Sequence, residues 1–368
     1  MTVRRVGLEE ELLLADVDTG ELRSVAGEVV AACAPAPGDG ATAEVKHEFF
    51  LSQVEVASNP HTDLGEVRAE LAQARERIAV VGAEWGVAPL AVPGPVLAPS
   101  LAGWDVSPGV RYAEIEQHYG DVARQSLMCA LHVHVEVADD EEGVAVIDRV
   151  RPWVPLLVAI SANSPYWHGR DTGYESWRSR VWNLWPTGGP AELFRDARTY
   201  HAVVRDMVRR GAALDAALVN LDVRLSRRYP TVEFRVADVC TDIDDALVVA
   251  ALARALVTHA AENLQAPPDP WRVDELRSAA WRASRFGFDG TLVSPGTREL
   301  AEAADVLKQL VALLAEQLDE AGDLALVTRG LTALRSRGSG AARQRAAFTR
   351  AGGMTGVVAD LRSRTLRS

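Results

Sequence analysis

The sequence predicts an α+β chain: a mostly antiparallel sheet with helices packed on one side, and a helical C-terminal region. Three observations point there. Four segments alternate apolar and polar residues with period two, as strands with one buried face do. Helical stretches separate several of these segments, and from about Pro270 onward the chain reads as helix, punctuated at Gly322, Gly338, Gly340, Gly352 and Gly353. No glycine-rich loop follows a strand, so neither a dinucleotide-binding nor a P-loop arrangement is supported.

In chain order, RRVGLEEELLLAD (4–16) is the first strand candidate, and APAPGDGATA (34–43) reads as a local loop rather than a linker. EVKHEFFLSQVEVAS (44–58) is a second strand region. Residues 62–85 form an amphipathic helix with Thr62 or Asp63 as N-cap. ALHVHVEV (130–137) is a strand, and 141–163 a helix bent or restarted near Pro152 and Pro155. The aromatic, glycine-bearing stretch 164–190 is too long for an idle connector, and long ordered loops often carry function. Helix over 191–213, strand over TVEFRVAD (231–238) and Ala/Leu-rich helix over 242–265 complete the order, with no internal repeat.

The 368 residues are 48% hydrophobic and 24% charged, enough for a substantial core. A net charge of −12 argues against a general nucleic-acid binder. Eight arginines against one acid, Asp360, from Arg335 onward read as a solvated helical face. Three cysteines (Cys33, Cys129, Cys240) build no disulfide framework and fit a reducing cytoplasm. The N-terminus lacks the features of a signal peptide, and no stretch approaches the ~18 apolar residues of a membrane span.

Sorting the strand candidates by parity gives one pattern. His132, His134 and Glu136 oppose Leu131, Val133, Val135 and Val137; Thr231, Glu233 and Arg235 oppose Val232, Phe234 and Val236. Glu9 and Glu11 oppose Val6, Leu8, Leu12 and Leu14, with Glu10 the exception; Gln53 and Glu55 oppose Val54 and Val56. A solvated sheet face would carry mixed polar residues, whereas these faces carry mainly Glu, His and Arg. Carboxylates at i and i+2 on a rigid strand suit hard divalent cations, imidazole can complete such a site, and an adjacent Arg suits phosphate. Glu48 lies on the opposite parity from Glu55, so only a bulge or a break between them could aim both the same way.

These segments resemble the carboxylate-amine ligases of the type 2 glutamate–cysteine ligase group. The resemblance runs through GLEEELLL, EVKHEFFLSQVEVAS, CALHVHV, SPYWHGRDTGYESWRSRVW, WPTGGP, DVRLS, PTVEFRVAD and SGAARQR, and so spans nearly the whole chain. It implies a glutamine-synthetase-like catalytic fold, a curved antiparallel sheet with helices behind, forming one catalytic domain over 1–368: a funnel from 1–265 and helices from 266–368. It also implies an ATP-dependent reaction with magnesium, or manganese in its place. A substrate carboxylate is phosphorylated, and an amine then displaces phosphate to give an amide. The implied acid is the γ-carboxylate of glutamate and the implied amine cysteine.

The resemblance assigns Glu9, Glu11, Glu55, His132, His134 and Glu233 to metals, His132 ranking before His134. It assigns Arg235, beside Glu233, to the transferred phosphoryl group. Arg178, Arg180 and Arg224 would clamp substrate carboxylates, and Asp171, Thr172, Tyr174 and Ser176 would line the acceptor side. Trp167, Trp177, Trp182 and Trp185 read as packing. The chain departs from the group at Ala130, Glu136 and Leu225, where relatives usually carry Gly, a small neutral residue and Pro. Partners would be small molecules, with neither nucleic acid nor membrane, and the group allows a homo-oligomer. Two other activities share such a fold: a guanidine-type phosphotransferase and a non-catalytic binding protein.

Overall fold

The computed structural model describes residues 3–34, 42–98 and 104–367; most of the loop expected at 34–43 lies outside them. Strands β1 (Val6–Asp16), β2 (Glu44–His47), β3 (Gln53–Ala57), β4 (Val87–Leu90) and β5 (Ala130–Glu136) come from the first half. β6 (Tyr166–Trp167) and β7 (Arg170–Asp171) form a two-stranded ribbon, and β8 (Val223–Leu225) and β9 (Thr231–Asp238) return to the main sheet. That sheet has seven strands in the order β2-β3-β1-β5-β9-β8, with β4 pairing β1 beyond β3, and every pairing is antiparallel.

The helices are α1 (Ala26–Ala32), α2 (Leu64–Gly82), α3 (Val110–Tyr119), α4 (Asp121–Arg124), α5 (Asp140–Val150), α6 (Val154–Ser161), α7 (Arg178–Trp182), α8 (Ala197–Arg209), α9 (Ile243–Glu262) and α10 (Val273–Phe286). After a ribbon of β10 (Thr291–Val293) and β11 (Leu300–Glu302) come α11 (Ala303–Leu313), α12 (Ala315–Glu320), α13 (Leu324–Arg337), α14 (Gly340–Ala351) and α15 (Met354–Thr365).

The α2 helix starts where its cap predicts: the Asp63 carboxylate accepts from the Gly65 N–H at 2.7 Å. The 141–163 helix is two helices, α5 and α6, broken over 151–153 with Pro155 in the first turn of the second. The expectation of an all-helical tail is corrected by the β10–β11 ribbon, which turns through residues 294–299.

Side chains of the apolar parity, such as Val6, Leu8, Val54, Val56, Leu131, Val133 and Phe234, are almost fully buried. α2, α6 and α9 pack on the sheet. Glu10, the misfit in that parity, is 0% exposed and meets Arg75 of α2 in two charge-assisted bonds of 2.8 and 2.6 Å. Arg75 also donates to the carbonyls of Cys240 and Thr241.

One hydrophobic cluster joins the sheet to apolar residues of α11, α13 and α15. Part of the arginine-rich end is not a free solvated face: Arg337, Arg343 and Arg364 meet Asp242 and Asp245 at the start of α9.

Candidate active site

Antiparallel pairing carries the polar parity from strand to strand. Glu9 stands opposite His132, Glu11 opposite Glu55, and His134 opposite Glu233. The β5–β9 register shifts by one residue between Leu131–Ala237 and Val133–Phe234, leaving an extra residue on β9 beside Arg235. Such a bulge re-aims its side chain.

Two groups of metal-ligand type result. Glu9, His134 and Glu233 bring one ligand atom each within 4.8 Å of one another, and so do Glu11, Glu48 and Glu55. The residues fit divalent cations on observations of this structure. His134 Nε2 is buried without a hydrogen-bond partner, while its Nδ1 is held 3.0 Å from Thr231 Oγ1. In the second group, burial pushes Glu11, Glu48 and Glu55 above the usual carboxylate range, and for Glu55 the charges of Glu9, Glu48 and Glu11 add to it.

Glu48 escaped the parity reading. β2 ends at His47 and β3 begins at Gln53; that break turns Glu48 into the same group as Glu55. Of the two histidines, His134 belongs to the first group; His132 belongs to neither. Its Nδ1 sits 3.3 Å from Glu9 Oε2, and burial with the nearby Arg235 charge lowers its pKa to about 4, so it stays neutral near pH 7 and orients Glu9. Burial alone would raise the Glu9 carboxyl, but His132 and His134 hold it well below the usual range. Arg235 and Arg224 do the same for Glu233.

Glu11 gives a pH signature. Burial, then the Glu48 charge, pushes its carboxyl from the usual 4.5 up to about 8. Between those values the folded chain holds a proton that the unfolded chain has released, so stability falls as pH rises. Without divalent cations, urea midpoints are therefore expected to drop from about pH 4.5 to about pH 8. Divalent cations should offset the drop, and Glu11→Gln should make it shallower, Glu48 and Glu55 keeping the remainder. A Glu11→Gln protein with an unchanged slope would contradict this.

Arg235 ion-pairs with Glu233, and its guanidinium lies 5.1 Å from the Trp182 ring centroid. Arg178, on α7, is 1% exposed, lies 5.5 Å from the same ring, and donates to the backbone oxygens of Val236 and Arg235. Trp182 is thus more than packing: it underlies both cations. Trp167 does pack, so closely on Gly94 that an added Cβ would lie 2.1 Å from its ring.

Two cavities flank the row of acids. One of about 280 Å³ is lined by Glu11, Glu48, Arg111, Tyr112, Arg178 and Arg235 among others. The other, about 460 Å³, is lined by Glu9, Lys46, His134, Tyr229 and Thr231 among others. Glu136 stands at the second cavity, ion-paired with Arg5 at 2.8 Å.

Several residues expected at the substrate lie outside the two flanking cavities. Arg224 uses its whole fork on Glu233 (2.7 and 3.2 Å) and the carbonyls of Ala217 and Val219, which makes it a support for Glu233. Arg180 lines a separate cavity behind Arg178. Asp171 is exposed and held by Arg345 of α14 at 2.9 and 3.0 Å, Thr172 Oγ1 donates to the Pro165 carbonyl, and Tyr174 Oη accepts from the Trp281 indole. None of these three lines either flanking cavity.

Ser176 is fully buried and donates to Asp238 Oδ1 at 2.8 Å; Ser164 and the Asn163 N–H also donate to Asp238. This knot fixes the long loop to the end of β9. Ser176→Ala is expected to cost about 1–2 kcal/mol of stability with KM unchanged. Urea denaturation beside steady-state kinetics checks this; a raised KM at native stability would place Ser176 at the substrate instead.

Comparison with known proteins settles the family. The model of glutamate-cysteine ligase family 2 matches residues 5–361. The chain belongs to that family. It is 45% identical over 366 residues to a Streptomyces coelicolor protein named "Putative glutamate--cysteine ligase 2", covering 99% of both chains. It is 43% identical over 364 residues to a Streptomyces avermitilis protein of the same name with the suffix 2-1, covering 97% of this chain and 98% of that one. The fold of the family member is shared at 12% identity with a glutamate–cysteine ligase from Francisella tularensis solved in complex with AMP, at a TM-score of 0.71, covering 100% of this chain and 90% of that one. A bifunctional glutathione synthetase from Pasteurella multocida gives a TM-score of 0.67 at 15% identity, with 99% of this chain and 52% of that one covered. The sheet and helices therefore share the fold of these two solved proteins. The helices among the described residues include none long and apolar enough to cross a membrane.

Proposed function

We propose that this family member is an ATP-dependent carboxylate-amine ligase that phosphorylates the γ-carboxylate of glutamate and joins it to an amine, cysteine being the acceptor that the relatives' names suggest. The observation that carries the reading is the placement of two ligand groups of metal type beside Arg235, between two cavities of different lining. ATP is assigned to the larger cavity, where Lys46 stands near the phosphate side, and the acid substrate to the smaller one, beside Arg111 and Arg178.

Glu9, His134 and Glu233, with Glu11, Glu48 and Glu55, would hold magnesium or manganese, which when bound neutralises phosphate charge. Arg235 stabilises charge on the γ-phosphoryl group as a carboxylate oxygen attacks phosphorus and ADP departs. The amine then attacks the acyl carbon, phosphate leaves with the C–O bond pair, and the nitrogen loses a proton as the amide forms. Arg178 and Trp182 hold Arg235 in place, and Arg224 holds Glu233. The residues 266–368 are assigned to the same catalytic domain, supported by the shared core, and a cytoplasmic location fits three free cysteines.

The test is ATP turnover with glutamate and hydroxylamine. A glutamyl hydroxamate, with ADP released only when acid and nucleophile are both present, is expected. ADP formation with a phosphorylated guanidine and no amine requirement would overturn the ligase reading. No observation in the structure favours that phosphotransferase or a non-catalytic role.

A further inference from the structure

Behind Arg178 and Trp182, on the side away from the acid row, a third cavity of about 230 Å³ opens between α7 and α10. It is smaller than the roughly 300–1,000 Å³ of sites for drug-sized ligands. Its polar groups are poorly matched to one another. The Asp222 side chain makes no ion pair among the described residues, and burial pushes its carboxyl up to about 7 against the opposing charges of Arg180, Arg178 and Arg277. The Trp182 indole N–H is near it yet has no hydrogen bond of normal geometry. Among the described residues Arg180 donates only to its neighbour Ser179, and its Nε is buried without a partner, as is Arg178 Nε. Arg277 reaches the cavity from α10, is exposed, and forms no ion pair among the described residues.

A carboxylate facing guanidiniums across an open space, rather than paired with them, is incomplete on both sides. A half-buried acid without a paired cation is matched by a cation or donor, and the Arg180 and Arg277 forks by an anion. One small ligand carrying both charges satisfies the set. Val158, Pro190, Val236 and Ala280 supply an apolar wall for a short side chain.

We propose that this cavity binds a small α-amino acid as its zwitterion, the carboxylate toward Arg180 and Arg277 and the ammonium toward Asp222, and that its occupancy is felt in the catalytic cavity through Arg178 and Trp182. Those two side chains line both cavities, and Trp182 also underlies Arg235. The binding stands on the cavity alone; the coupling rests on the ligase reading.

The experiment is calorimetric titration of the full chain, without nucleotide, using L-alanine, acetate and methylammonium as probes. L-alanine is expected to bind saturably, with acetate and methylammonium each weaker by about tenfold or more. Asp222→Asn and Arg277→Ala should each weaken alanine by a similar factor, whereas Arg235→Ala should not. Arg277 is exposed, so its variant reports binding without a burden on folding. In the hydroxamate assay, alanine should shift the KM for glutamate in the wild-type chain but not in Arg277→Ala, whose basal kcat should be unchanged. No saturable heat from alanine overturns the proposal, as does acetate binding equally tightly. Loss of binding in Arg235→Ala but not in Arg277→Ala would place the ligand in the catalytic cavity and equally overturn it. Intact alanine binding with no hydroxamate would instead sink the ligase reading alone.

Discussion

Arg235→Ala is expected to lower kcat for hydroxamate formation by about 10³-fold or more, roughly 4 kcal/mol of transition-state stabilisation. An arginine positioned on the transferred phosphoryl group acts mainly where charge builds up, so KM for ATP should change far less than kcat. The fold should survive. Glu233 keeps its two bonds from Arg224, so no buried carboxylate is left alone. Arg235→Lys restores the charge but not the fork and should recover only part of the rate. A kcat within tenfold of wild type in Arg235→Ala would remove Arg235 from the chemistry. The readout is steady-state hydroxamate formation, with thermal melting run alongside.

The largest stability effect is expected at Glu10→Gln. Glu10 and Arg75 are 0% and 1% exposed, so solvent screens little of their interaction. Removing the negative charge leaves a guanidinium in the interior without its counterion, at a cost of about 3–5 kcal/mol. Arg75 keeps the Cys240 and Thr241 carbonyls, which satisfy hydrogen bonds but not charge. Urea midpoints at neutral pH should fall accordingly, while magnesium affinity at the opposite face changes little. A loss below about 1 kcal/mol, the scale of exposed pairs, would mean that water reaches this pair.

Much of the site's plan was legible because a strand's parity is a local property: Glu9, Glu11, Glu55, His134 and Glu233 share a face by spacing alone. What parity cannot show is where it resets. Glu48 needed the break after His47, and the pairing of His134 with Glu233 needed the β5–β9 register. Short β4 and β8 carry too few residues to display a period. Partners remote in sequence were equally hidden. Nothing near Asp171 announces Arg345, 174 residues away. Even nearby partners can hide, since spacing alone does not show that the Arg224 fork is taken by Glu233 and two carbonyls within nine residues of it. Much of the long loop is anchored to the end of β9, which the sequence does not show, because buried serines around Asp238 look no different in sequence from serines at a site.

The three consecutive glutamates of β1 also bear on how the chain finds its alignment. Sliding β1 by one residue would drive Glu9 and Glu11 into the interior and expose Leu8 and Leu12, so alternation alone forbids odd displacements. It does not forbid a displacement of two, which keeps every parity intact. Arg75 does. After such a slide the guanidinium would face Leu8 or Leu12 instead of a carboxylate. The middle glutamate is therefore the mark that separates the correct alignment from its nearest even-numbered decoy, and it keeps Glu9 beside His134 and Glu11 beside Glu55.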